Sequence, residues 1–214
     1  MKKIDRINKP KILINKEVDW TRELLGQISL KASYSNVEDK YKNRYRHKEV
    51  KEQLENMFMG KCCYCESYIG DTDYEHIEHF KPKSIFPEES FKWENLFWSC
   101  GICNNNKRDK WDESCIFINP VDDTPSAHLQ FLGGLIDGLS DRGVYTINEL
   151  DLNREKLIKA RQKVLLLLLE IIIKIKRTED PVEKENIKNR LKGFIESDCE
   201  YTMMCNELIE DLLN

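Results

Sequence analysis

Two periods of apolar residues divide the chain. From Trp20 to about Met59 the spacing is helical. Leu24, Leu25 and Ile28 recur at about 3.6 residues, and "KEVKEQLENMF" places Val50, Leu54, Met57 and Phe58 on one side. Gly60 is placed to end that helix, while residues 1–20, with Pro10 and few capping residues, read as irregular. The period then changes to two. Tyr74, His76, Glu78 and Phe80 alternate with Glu75, Ile77 and His79, which predicts a strand. "NLFWS" predicts a second strand, and Asn104 can cap a short helix after it. Residues 113–148 are rich in Pro, Gly and Asp and predict turns with short strands. A long helix is expected from near Asn148 to Asp151, either of which can cap it, to Arg177; a second covers Val182 to about Ile195, and a short last one reaches Leu213. The resulting division is a helical segment over 1–60, a compact core over 61–112, a turn-rich connector over 113–147 and a helical lobe over 148–214. The expected fold class is α+β.

The 214 residues, 40% apolar and 34% charged, are enough to bury a core and too hydrophobic to stay disordered. The longest apolar run, "VLLLLLEIII" from Val164 to Ile173, is about half of the ~20 residues that span a bilayer. No apolar stretch follows the initial "MKK", so the reading is a cytoplasmic protein with no membrane partner. A run apolar on every side predicts a helix buried on several sides, with a partner surface as the alternative. The net charge of −4 is unevenly spread: +5 over residues 1–60, −3 over 61–112 and −6 over 113–214. The stretch "KYKNRYRHKEVK", Lys40 to Lys51, holds six basic residues and one acid. Arg44, Arg46 and Lys48 within it are candidate phosphate contacts, or else an ordinary solvated helix face.

A reducing compartment leaves eight cysteines unexplained by disulfides. Four of them fall as Cys62-x2-Cys65 and Cys100-x2-Cys103, with 34 residues between the pairs. Two short turns that each present two thiolates form a closed, tetrahedral, structural zinc site. Cys63 in "KCCYCES" would shorten its turn to C-x-C, so the spacing selects Cys62. Closing such a site clamps the intervening residues into a loop whose ends meet. That loop carries "HIEHFKPKS" and "WENLFWSC", and it runs on into "CNNNK". Trp93, Trp98 and Trp111 are expected as core around it.

Glu78-His79, Asn95-Leu96 and Cys103-Asn104-x-x-Lys107, framed by two C-x-x-C pairs, resemble the HNH endonuclease family with its ββα-metal fold. Within it, these motifs together with "INPVDD" and "TINELDLNREKLIKAR" resemble nuclease subunits of Septu anti-phage systems, which are also found beside some retrons; the likeness covers roughly residues 60–161. The resemblance implies a zinc-stapled ββα-metal core flanked by helices. It implies His79 as general base, Glu78 and Asn104 as ligands of a catalytic Mg²⁺ or Mn²⁺, and Asn95 as the residue that ties the loop and orients the base. Many family members carry Asp where Glu78 stands. His76 is a further candidate ligand, a partner of one, or a packed histidine. Lys107 and Lys83 are candidate phosphate contacts. The implied partners are nucleic acid, an SMC-like (PtuA-like) ATPase, and a retron reverse transcriptase with its DNA. The implied function is an endonuclease of an anti-phage complex. A stand-alone restriction-type HNH nuclease and a catalytically silent zinc module are the alternatives.

Overall fold

A computed structural model describes residues 1–70, 75–197 and 199–213, which leaves Tyr74 of the expected strand outside the described residues. Helix α1 spans Lys11–Lys31, nine residues earlier than the pattern suggested. Pro10 does not break it. The ring fixes Pro10 at φ −63°, a geometry that leads the chain into the first turn. Leu13 and Leu24, about three turns apart, face the core. The expected continuous helix is interrupted after Ala32, which sits at φ 61°. Asn36 Nδ2 then donates to the Lys31 carbonyl at 3.1 Å, while Ser33 Oγ accepts from the Asn36 backbone amide at 3.4 Å. Short polar side chains here compete with helix hydrogen bonding and win. A single turn, α2 (Asp39–Lys42), and a tight 3₁₀ turn at Arg44–Arg46 lead to α3 (Lys48–Phe58). His47 Nδ1 caps α3 at the Glu49 amide, and the face of Val50, Leu54, Met57 and Phe58 is buried as the spacing predicted. Gly60, at φ 67°, closes the helix by donating to the Glu55 carbonyl at 2.9 Å.

Strands β1 (Glu75–His79) and β2 (Leu96–Cys100) pair antiparallel, with Glu75 opposite Cys100, Glu78 opposite Phe97 and His79 opposite Leu96. Helix α4 (Gly101–Lys107) follows β2 without a gap. β2 is buried along its whole length, covered by α3 on one side, and Trp93 and Trp98 are buried beside it. Trp111 is partly exposed and stands edge-on to Phe80 and Phe86. Residues 1–10 are held against this core. Arg6 donates to the Trp93, Glu94 and Leu96 carbonyls and lies 4.6 Å over the Phe97 ring, and Ile4 bonds to Pro120.

The connector holds a hairpin, β3 (Leu129–Leu132) and β4 (Leu135–Gly138), as the composition suggested, and also a helix that it did not, α5 (Asp141–Glu149). Gly143 looked like a turn residue. It sits inside α5 because a Cβ there would lie 2.1 Å from the His128 carbonyl oxygen, so the glycine serves a close approach. Ser140 Oγ caps α5 at the Gly143 amide. Asn148 and Asp151 therefore close α5, and the long helix α6 begins only at Glu155, ending at Arg177 as expected. Helices α7 (Pro181–Ser197) and α8 (Thr202–Leu213) complete the lobe. α6 buries Leu168, Ile172 and Ile175, but Leu166, Leu167 and Ile173 are exposed, which corrects the expected burial on several sides. No helix among the described residues is long and apolar enough to cross a membrane.

Two helical glycines with opposite surroundings give a paired test. Gly143→Ala is expected to destabilise by about 1–3 kcal/mol through overpacking against His128. Gly26→Ala in α1, where the added methyl meets nothing within 4 Å, is expected to stabilise by up to ~1 kcal/mol. Denaturant unfolding of both variants reads the two signs.

Candidate metal centre and nuclease cleft

The first knuckle is a tight hairpin in which Lys61 bridges to Tyr68 and the Cys62 amide donates to the Ser67 carbonyl at 2.9 Å. Glu66 at φ 62° makes the turn, its amide returning to the Cys62 carbonyl at 3.0 Å. The second knuckle stands where β2 becomes α4. There Cys100 Sγ caps the helix, accepting from the Cys103 amide at 3.5 Å. All four sulfurs, of Cys62, Cys65, Cys100 and Cys103, are buried and lie within 4.8 Å of one another. Four Zn–S bonds of about 2.3 Å in a tetrahedron need sulfurs about 3.8 Å apart. The Cys65–Cys100 separation is 3.9 Å, so the set fits zinc closely. Cys63, buried beside Cys62 with its amide bonded to the Trp98 carbonyl at 2.8 Å, is outside the four-sulfur cluster.

β1, α4 and the N-terminal segment enclose a cleft of about 460 Å³. β1 contributes His76, Glu78 and His79, and α4 contributes Asn104. His79 is buried. Its Nε2 lies 3.0 Å from the Ser90 carbonyl, and its ring stands perpendicular to that of Tyr45 with 4.5 Å between centroids. A carbonyl only accepts, so Nε2 carries the proton and Nδ1 holds the lone pair. Burial, reinforced by the positive charge of Lys83, pushes the imidazole well below its ordinary pKa and keeps it neutral. Asn95 Oδ1 accepts from the Lys81 amide at 2.7 Å, and its Nδ2 donates to the Lys81 and Glu89 carbonyls. It ties the loop after β1 into a fixed shape.

Glu78 is also buried, and burial raises its pKa against the opposing pull of Lys107. Lys107 departs from the expected phosphate contact. Its side chain is wholly buried, with Nζ 2.6 Å from Glu78 Oε1 and 2.9 Å from the His79 carbonyl oxygen. An interior ammonium needs such partners, and this one braces two consecutive β1 residues at once. Asn104 Nδ2 lies 3.3 Å from His76 Nδ1, so these two candidates meet at the same edge of the cleft. A carboxylate, an amide oxygen and an imidazole form a donor set that fits a hard divalent ion such as Mg²⁺ or Mn²⁺.

A model of the HNH endonuclease family matches residues 62–110, the span that contains both knuckles and every β1 and α4 residue named above. The Septu protein PtuB of Bacillus mycoides (strain KBAB4) is 33% identical over 153 residues, covering 56% of this chain and 52% of that protein. The Septu protein PtuB of Bacillus thuringiensis is 30% identical over 196 residues, covering 91% of this chain and 70% of that protein. The chain belongs to the PtuB family. It spans about half the length of the first of these relatives.

The cleft of this PtuB-family chain is built mostly from the HNH span and completed by the N-terminal segment. Tyr34, Tyr45, Arg46 and Lys51 line it from the N-terminal segment, and Arg108 and Asp109 from the end of α4. Of the basic residues singled out in the sequence, Arg46 and Lys83 face the cleft. Arg44 is turned away, 2.7 Å from Glu23 and stacked near Trp20 and Tyr41. Lys48 is exposed at the start of α3 beside Glu52 and does not line the cleft. Tyr45, Lys51 and Arg108 were not anticipated as single residues. The only sequence signal for the first two was their place in the basic tyrosine-bearing stretch.

Cys100→Ser is expected to lose the bound metal and the folded core, while Cys63→Ser keeps both; metal analysis and thermal unfolding distinguish the two. Lys107→Met leaves the Glu78 carboxylate buried without its partner, and a loss of about 3–5 kcal/mol in denaturant unfolding is expected.

Proposed function

We propose that this chain is the nuclease subunit of an anti-phage defence complex, hydrolysing phosphodiester bonds of nucleic acid together with an SMC-like, PtuA-like ATPase. The single observation that carries the reading is His79. It is a buried, neutral imidazole whose Nε2 is engaged by the Ser90 carbonyl, set beside Glu78 in a cleft lined by cations. A positioned neutral imidazole takes a proton from water, here at Nδ1. The water oxygen attacks phosphorus, the bond to the 3′ oxygen breaks, that oxygen takes up a proton from solvent, and the products carry 5′-phosphate and 3′-hydroxyl ends. Arg46, Lys83 and Arg108 hold the phosphates. Asn95 fixes the loop that positions Lys83, and Lys107 fixes Glu78 and the His79 backbone. The four-cysteine centre holds structural zinc.

Glu78 and Asn104, with His76 as a further donor, would hold a Mg²⁺ or Mn²⁺, which when bound would supply charge stabilisation to the phosphate and the departing oxygen. Membership of the PtuB family and the cytoplasmic reading of the sequence support an intracellular target. The acidic C-terminal half supports a requirement for the partner, since this chain alone carries little net attraction for nucleic acid.

Plasmid, single-stranded DNA and total tRNA, each incubated with the protein in Mg²⁺ or Mn²⁺, with and without the ATPase, test the reading. Cleavage is expected, and His79→Ala should lower it by about 10²–10⁴-fold with zinc content and thermal unfolding unchanged. Equal cutting by His79→Ala would sink the assignment.

A further inference from the structure

Tyr45 lies 34 residues upstream of His79 and outside the HNH span, yet it touches both the proposed base and a proposed phosphate ligand. It is 2% exposed, so its position is set by packing rather than by solvent. Its ring stands at 89° to the His79 imidazole with centroids 4.5 Å apart, inside the range of favourable edge-to-face aromatic pairs. Its hydroxyl accepts from Lys83 Nζ at 3.2 Å, and that ammonium also lies 4.9 Å from the ring centroid. The short turn that carries Tyr45, Arg44–Arg46, also delivers Arg46 to the cleft.

We propose that Tyr45 is a positioning residue of the nuclease site: its ring fixes the rotamer of His79, and its hydroxyl fixes the ammonium of Lys83, so that the helical N-terminal segment completes the site. This rests on His79 being the base. Two jobs fall on two parts of one side chain, and they separate in kinetics. The ring acts on the proton transfer and hence on kcat. The hydroxyl acts on phosphate binding and hence on KM. Lys83 and the imidazole are both cation-capable groups, and seating the ammonium on the Tyr45 hydroxyl and face holds it at a fixed distance from His79. The bland alternative is that Tyr45 only fills space. A filler is replaceable by any apolar side chain of similar volume and leaves KM unmoved when its hydroxyl is removed.

The metal-loaded protein, with its ATPase, is assayed as wild type, Tyr45→Phe, Tyr45→Leu and His79→Ala. Tyr45→Phe is expected to keep kcat within about twofold and to raise KM for nucleic acid several-fold; Tyr45→Leu is expected to lower kcat about 10- to 100-fold, the scale of a small displacement of a catalytic group. A kcat for Tyr45→Leu equal to that of wild type overturns the positioning role, and so does a Tyr45→Phe variant as damaged in kcat as Tyr45→Leu. A wild type that does not cut, or a His79→Ala variant that does, indicts the assignment of His79 instead. In either case, and if Tyr45→Leu does not fold, the wild-type protein still decides the contact. Ring protons of His79, identified by their loss in His79→Ala, are expected to show a nuclear Overhauser contact to the Tyr45 ring, and its absence overturns the proposal.

Discussion

Four buried thiols within 4.8 Å of one another are the constraint on which the rest of the molecule depends. A metal among them joins a hairpin at residues 62–65 to the β2–α4 junction and so closes the 34-residue loop between Cys65 and Cys100. The ends of β1 and β2 lie inside that closure, with Glu75 opposite Cys100, so the centre holds the strand pair from which Glu78 and His79 project. The same knuckle receives the rest of the chain. Tyr201 OH lies 3.1 Å from Ser67 Oγ, Lys61 donates to the Cys199 carbonyl, and Glu66 meets the Met1 amino group at 2.7 Å. Arg154 Nη1 lies 3.9 Å from Cys103 Sγ, and the thiolates nearby favour its charged form against burial. Four thiolates around a divalent ion carry a net charge of −2, and a guanidinium at their edge offsets part of it. The helical lobe is thus docked on the metal centre by chemistry as well as by apolar contact.

A second constraint is the interior charge that the cleft requires. Glu78, His79 and Lys107 are all buried within a few residues of one another in space. Isolated, each would be costly, and each solves the cost differently. Glu78 and Lys107 neutralise one another across 2.6 Å. His79 gives up its charge and engages a backbone carbonyl instead. Asn95 adds no charge and spends its whole amide on backbone groups of the loop. The result is a rigid inner wall in a cleft that the cations Arg46, Lys83 and Arg108 also line.

The sequence made the inner wall legible because its order is local. Thiol spacing and alternation along β1 are short-range patterns, and the pairing they imply is the observed one; the expected Asn104 cap is not, because Cys100 Sγ caps α4 and leaves Asn104 inside the helix. Gly60 and the buried face of α3 were equally readable. The errors fall where a local cue had a distant cause. Gly143 resembled a turn because nothing in its neighbours reveals His128 pressing on the backbone. Pro10 resembled irregular chain, although the geometry that excludes proline from a helix interior suits a helix entrance. Lys107 read as a phosphate contact because its counter-ion lies 29 positions away, on another element. The exposed face of α6 was hidden by composition, since a run of leucines and isoleucines has no polar side to mark the solvent.

The basic stretch at residues 40–51 shows why charge counts alone mislead about a binding surface. Its six cations look equivalent in sequence and are used in different ways. Lys40 pairs with Glu38, Arg44 with Glu23 and Lys51 with Glu75, while Arg46 faces the cleft. Most of the stretch's charge is therefore balanced by nearby carboxylates; Lys51 reaches the cleft already paired with Glu75, and the rest of the contribution comes from one arginine and one uncharged tyrosine. Those last two sit on a three-residue 3₁₀ turn between helices, where consecutive side chains fan out at about 120° and can serve different neighbours. A continuous helix through this region, the arrangement its periodicity suggested, would set Tyr45 and Arg46 about 100° apart on a face continuous with α3. The break after Ala32 and the short turn before α3 instead let the segment fold over β1. The core that a family pattern finds at residues 62–110 thus supplies the acid, the imidazole and the metal centre, and the segment before it supplies the other wall of the cleft.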